Sequence, residues 1–313
     1  MTDVVVEATR DAYGRALVDL GSRMPEIVVL DADLSGSTRT QKFAELYPER
    51  FFNAGIAEQN LMNMAAGLAL AGKVPFASTF AVFATGRAWE QIRNTIAYPN
   101  LPVRIVATHA GLTVGEDGAS HQALEDIALM RVVPNMTVLV PADGVEAEAA
   151  IGLAAKADGP VYVRLGRSKV PTITDGNLEI GRGSTLANGD DVAIIACGIM
   201  VSAALEASER LRERGVSCRV INMPSIKPLD EDLVIRAAEE CGAVVTAEEH
   251  SVIGGLGGAV AETLSSSRPV PVVRIGVDDT FGQSGDPQGL LEYYGLMPSD
   301  LESACDRAMG MKG

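Results

Sequence analysis

Short, uninterrupted apolar runs punctuate this chain, and segments of helical periodicity separate them. Residues 26–30 (EIVVL), 103–108 (VRIVAT), 137–140 and 161–165 read as buried strands, each followed by a turn or helix signal. A strand that is apolar on both faces needs cover on both, so the rhythm predicts a mostly parallel sheet with helices above and below it. Between the strands, residues 57–71 (AEQNLMNMAAGLALA) are rich in helix formers and close on Gly72, a favourable residue just past a helix end. Residues 84–97 read as a second helix, stopped by Pro99. After Pro171 the pattern breaks: TITDGNLEIGRGSTLANGDD is polar, Gly-rich and without helical period. The alternation then restarts, with strands expected at 192–197, 217–222, 243–247 and 270–275 and helices at 201–213, 231–240 and 259–265. The expected fold class is therefore α/β, as two doubly wound, mostly parallel sheets. Residues 1–172 form the first domain in this reading, 173–190 a linker, and 191–313 a second, smaller domain.

Composition narrows what such a fold could do. The 313 residues carry 26 Lys+Arg against 41 Asp+Glu, a formal charge of −15. A polyphosphate or anionic lipid surface repels a chain this acidic, and no basic stripe offsets it, so neither nucleic acid nor membrane is an expected partner. The longest apolar run, 61–71, is interrupted by Asn63 and falls short of the ~20 residues a spanning helix needs. The first residues (MTDVVVEATRDAYG) are acidic where a secretory leader would be basic. Cys197, Cys218, Cys241 and Cys305 are scattered with no CxxC pair, which points to a reduced cytoplasm rather than a disulfide framework. Three histidines without close Cys/His spacing give no pattern for a structural zinc site.

Three places bear chemistry. The turn Gly254–Gly258 (GGLGG) lies between a strand and a helix, where a pyrophosphate could rest on the helix N-terminus. The dinucleotide fingerprint, however, wants Gly or Ala where Val260 stands, so a tight turn and close helix–sheet packing is the simpler reading. Glu58 occupies the first turn of an apolar helix. An acid there complements the helix dipole, and apolar surroundings also suit a carboxylate for proton exchange. The segment 108–122 (THAGLTVGEDGASHQ) gathers His109, Glu116, Asp117, Ser120 and His121 with Gly111, Gly115 and Gly118 at the end of a strand. Glycines permit positive φ and close backbone approach, and α/β sheets place ligands on such loops. From the residues alone, this describes an acid–base enzyme acting on a polar small molecule. There is no GxxxxGK[ST] or GxSxG motif to support phosphoryl transfer or a nucleophilic serine.

Taken together, GIAEQN (55–60), STFAVFATGRAWEQIRN (78–94) and THAGLTVGEDGASHQ (108–122) resemble the pyrimidine-binding domain of transketolase. AEEHSVIGGLGGAV (247–260) and FGQSG (281–285) resemble the transketolase C-terminal domain, so the similarity covers essentially the whole chain. The family's diphosphate-binding domain, marked by GDG and a following Asn, has no counterpart here. The resemblance thus implies the small, C-terminal subunit of a split transketolase. It implies thiamine diphosphate shared with a diphosphate-binding N-terminal subunit in an α2β2 heterotetramer, with Mg2+ held mainly by that partner. Glu58 matches the carboxylate that bonds the aminopyrimidine ring nitrogen and promotes its imino tautomer. Phe80 and Phe83 match aromatics that pack on the pyrimidine, and Asp33 an acid near the cofactor and the subunit interface. Gly86 stands where the family usually has Tyr. His121 and Asp117, counted with Glu58 as catalytic, match contacts to the sugar hydroxyls, and His109 a contact at the phosphate end. Arg10, Ser37 and Arg167 match the phosphate grip, a role suited to guanidinium forks.

The implied reaction moves a two-carbon ketol unit from a ketose phosphate to an aldose phosphate. Two pyruvate-dependent relatives compete with it. Deoxyxylulose-phosphate synthase shares the GIAEQ-type segment but commonly has His where this chain has Asn60, and is normally one long chain. The beta subunit of pyruvate-dehydrogenase-type decarboxylases has a similar length but lacks a GEDGASHQ-like loop. A non-catalytic regulatory subunit is a third alternative, and Gly86 is the one feature favouring it.

Overall fold

The computed structural model describes residues 5–312. Strands follow in chain order as β1 (Val6–Ala8), β2 (Ile27–Asp31), β3 (Phe51–Asn53), β4 (Val74–Phe80), β5 (Arg104–Thr108), β6 (Thr137–Leu139) and β7 (Val161–Arg164). They continue as β8 (Lys169–Pro171), β9 (Ser184–Ala187), β10 (Val192–Ala196), β11 (Cys218–Asn222), β12 (Ser225–Lys227), β13 (Val244–Ser251) and β14 (Val272–Val277). One sheet has the order β12-β6-β7-β5-β4-β2-β3 and the other β14-β13-β10-β11-β9, while β1 and β8 form a two-stranded ribbon. Within each large sheet all pairs are parallel except one edge pair, β12 with β6 and β9 with β11. Every residue of β2, β5, β7 and β10 is buried, as expected of strands covered on both faces.

Residues 173–190, expected as a linker, contribute β9 at the edge of the second sheet. Its polar, Gly-flanked sequence hid it because an edge strand buries little. Likewise Ser225–Lys227 leave the second sheet's run of strands and pair with β6 in the first. An apolar core runs without a break from Leu30, Leu61 and Ile105 to Ile195, Ile221 and Leu256, so the two sheets share buried surface.

The helix Glu58–Leu70 buries Leu61, Met62, Ala65, Ala66 and Ala69, a stripe at helical spacing. It is followed by Gly72 at φ +79°. The expected α-helix at 84–97 is instead a π-helix (Phe83–Arg87), a short α turn (Trp89–Gln91) and a second π-helix (Ile92–Ala97). Its buried residues Ala84, Ala88, Ile92 and Ile96 recur every fourth position. The widened turns, with more than the roughly 3.6 residues of an α turn, keep that row on one face.

Register aligns the carboxyl ends of the central strands. Asp31 pairs with Ser78, Phe80 with Thr108, and Ala107 with Arg164. At this edge the buried Arg164 Nε donates to Asp126 at 2.8 Å, and Tyr162 Oη donates to the same oxygen at 2.6 Å. Truncating one partner of a buried ion pair strands the other charge. Asp126→Ala should therefore lower the unfolding free energy by about 3–5 kcal/mol in denaturant titration, and a loss below about 1 kcal/mol would show the pair to be dispensable.

Candidate active site

Four aromatic rings gather beyond the carboxyl ends of β4 and β5. Phe80 closes β4, and Phe83 follows at 5.7 Å between centroids with the planes 9° apart. The His109 ring lies against Phe80 at 3.8 Å and 19°, while His121 meets Phe83 edge-on at 5.3 Å and 72°. His109 holds a left-handed backbone (φ +56°), a conformation costly for a non-glycine residue and one that tends to persist where surrounding contacts enforce it. Those contacts are clear: Arg10 Nη1 is 3.0 Å from His109 Nε2, and Thr108 Oγ1 is 2.8 Å from its Nδ1. An arginine can only donate, so Nε2 accepts and the ring proton is assigned to Nδ1. Burial, then the positive charges of Arg10, Arg167 and Arg39, push His109 down to about 3. At neutral pH it is an uncharged acceptor that holds Arg10 in place.

Glu58 is 2% exposed although it sits in the helix's first turn. Arg87 Nη1 lies 3.0 Å from both of its carboxylate oxygens, and the Arg87 guanidinium lies 4.8 Å over the Phe83 ring. Gly86 is exposed, and a Cβ there would meet nothing within 4 Å. Arg87, one residue on along the widened turn, is what occupies this edge of the pocket. No sequence pattern marks this role, because the residue after a missing aromatic reads as surface unless the helix is under-wound.

On the opposite side, Arg10 Nη1 also donates to the Ser37 carbonyl at 3.1 Å, and its buried Nε has no partner among the described residues. Ser37 thus meets Arg10 through its backbone. The loop bearing Asp33 and Ser37 is pinned by Asp31, which accepts from the Leu34 amide (2.5 Å), Thr38 Oγ1 (2.6 Å) and Thr40 Oγ1 (3.0 Å). Burial raises the Asp31 carboxyl above its ordinary range, against those three bonds. Asp33 is exposed and accepts from Asn53 Nδ2 at 2.9 Å. Arg167 donates to the Val114 carbonyl at 2.7 Å and lies 3.6 Å from the half-exposed Asp117. The loop's three glycines, 111, 115 and 118, all have φ between +73° and +84°.

The structure therefore brings Glu58, Phe80, Phe83, His109 and His121 around one hollow, with Arg10 and Arg167 at its far side. A flat heteroaromatic ring that needs a buried carboxylate at one nitrogen fits the Glu58–Phe80–Phe83 group. Among the described residues, no cluster of three or more His, Cys, Asp or Glu side chains is placed to hold a metal ion.

The Gly254–Gly258 stretch runs into the first turn of the helix Leu256–Ser266, and the chain fills that N-terminus itself. Glu248 accepts from the Leu256 and Gly257 amides at 2.7 and 2.8 Å, and a Cβ on Gly255 would overlap its carboxylate. A pyrophosphate has no room there. No helix is long and apolar enough to cross a membrane among the described residues, and the four cysteines are buried and unbridged.

A family model described as the transketolase pyrimidine binding domain matches residues 7–172, and the transketolase C-terminal domain matches residues 181–301. The chain is 52% identical over 310 residues to a protein of Methanocaldococcus jannaschii named as a transketolase C-terminal section, spanning 97% of this chain and 96% of that one. It is 42% identical over 297 residues to the 6-deoxy-6-sulfo-D-fructose transketolase subunit SqwH of a Clostridium species, spanning 94% and 92%. Among solved structures, a split-gene transketolase described as an inactive β4 tetramer matches with TM-score 0.92 and 59% identity, over 98% of this chain and 99% of that chain.

The His109 assignment is testable by ring-nitrogen NMR. A group held from about 6.5 down to about 3 binds its proton in the unfolded chain first, so stability falls as pH drops through that window. His109 should show a neutral, Nδ1-protonated ring unchanged down to pH 5, and His109→Gln should flatten the acid-side loss of stability. Titration of His109 near pH 6 would contradict the buried arrangement.

Proposed function

The chain belongs to the transketolase family, and we propose that it is the small subunit of a two-component transketolase, building half of a thiamine diphosphate site. The observation that carries this reading is the buried Glu58 carboxylate set beside the Phe80–Phe83 shelf, with the His109, Asp117, His121, Arg10 and Arg167 group beyond it. When bound, thiamine diphosphate supplies a nucleophilic carbon and an electron sink for breaking the bond next to a ketose carbonyl. Glu58 holds or passes a proton at the aminopyrimidine ring nitrogen, for which Arg87 must yield at least one of the two oxygens it now binds. Phe80 and Phe83 keep water off the ring face. His121 and Asp117 bind and orient the sugar hydroxyls.

Arg10 and Arg167, spaced by the neutral His109, receive the anionic end of the sugar. In this reading that end is a phosphate. The name of the Clostridium relative carries a sulfonate, which presents similar oxygens to a guanidinium fork. Diphosphate and Mg2+ fall to a partner of the N-terminal type, in an α2β2 assembly. The GEDG loop and the two histidines that flank it favour a ketol transfer between sugar phosphates over pyruvate chemistry.

The test mixes this chain with a diphosphate-binding transketolase subunit, thiamine diphosphate, Mg2+, xylulose 5-phosphate and ribose 5-phosphate, and follows sedoheptulose 7-phosphate. Product should form only in the mixture, and Glu58→Gln should abolish it. Near-normal turnover with Glu58→Gln would sink the assignment, and cofactor binding without product would turn attention to pyruvate-type donors and then to a regulatory role.

A further inference from the structure

One buried acid of the second sheet reaches the site loop without belonging to the hollow. Glu249 on β13 is 3% exposed, and its Oε1 accepts from the Thr113 amide at 2.6 Å across 136 residues of sequence. Gly111, at φ +81°, lets the loop close over it, since a Cβ there would overlap the carboxylate. The bond falls at a junction. The Leu112 carbonyl accepts from Gln122 at 3.1 Å, the Thr113 carbonyl from Ser168 Oγ at 3.2 Å, and the Val114 carbonyl from Arg167 at 2.7 Å. The carbonyl of Glu249 is itself fixed by Arg164 at 2.8 Å.

We propose that Glu249 is a positioning residue of the active site: its carboxylate, locked to the Thr113 amide, sets the register of the loop that carries His109, Asp117 and His121 and anchors Arg167. The inference rests on the sugar-phosphate reading above for what the loop binds. A buried acid is an expensive way to fill this space, since desolvation raises Glu249 to about 7 even with Arg164 nearby. Either protonation state keeps an oxygen on the amide, so what matters is the acceptor rather than the charge.

Two variants separate acceptor from filler. Glu249→Met keeps the length without an acceptor, and Glu249→Gln keeps the oxygen. In the full chain alone, amide hydrogen exchange across 109–122 should quicken about tenfold or more in Glu249→Met and stay near wild type in Glu249→Gln. In the reconstituted complex, Glu249→Met should raise KM for the phosphorylated donor about tenfold with kcat changed less, and Glu249→Gln should restore it. A Met variant with wild-type loop exchange and KM, or a Gln variant as impaired as Met, would overturn the proposal. A lowered melting temperature with an unchanged loop would assign Glu249 a merely structural role and overturn it equally. If no complex transfers a ketol group, the functional reading fails by itself, and the exchange measurement still decides the loop.

Discussion

A single guanidinium governs how this molecule closes. Arg164 ends β7 inside the first sheet, is almost wholly buried, and cannot give up its charge, so its buried donors need acceptors. It finds Asp126 on a helix of the first unit, the Ala123 carbonyl at 3.2 Å and the Glu249 carbonyl on β13 of the second sheet. One side chain thus fixes three segments against each other. Ala123 is also bridged to Ala110 and accepts from the Gly111 amide at 3.0 Å, so the same point closes the base of the 108–122 loop. The Ser251 amide adds a bond to the Leu124 carbonyl at 2.7 Å, seating the end of β13 along that base. The hollow is consequently defined by both sheets, although all the residues around it come from the first.

The electrostatics of the hollow follow from this closure. Burial first, and then the several arginines that stand near, make the neutral ring of His109 the stable form. A neutral His109 can then serve as a wall and as an acceptor for Arg10. The free directions of Arg10 and Arg167 remain available for an outside anion. Glu58 is handled in the opposite manner, with a counter-ion supplied by a half-exposed arginine that can move. The cationic end of the hollow is rigid, while the carboxylate end has a displaceable partner.

Much of this was legible in the sequence, for identifiable reasons. Buried parallel strands must be apolar throughout, so the EIVVL and VRIVAT runs announced themselves. The 108–122 loop was legible because positive φ demands glycine, and its three glycines take that conformation. What escaped notice shares a different trait. β9 and β12 are short edge strands that bury little. Arg87 depends on a helix whose winding no propensity encodes. Glu249 reads as one more acid in a strand, and its partner lies 136 residues away. Pattern reasoning sees what neighbours in the chain decide, and these features are decided by neighbours in space.

The two π-helical segments between Phe83 and Ala97 carry an evolutionary consequence. An under-wound turn holds one residue more than an α turn over a similar rise. A single-residue insertion or deletion there can be absorbed by rewinding locally, with Phe80 on its strand and Ile92 in the core left where they are. The rim of the hollow is then a place where a descendant of this chain can exchange which side chain faces the pocket by shifting register, with the residues elsewhere kept as they are.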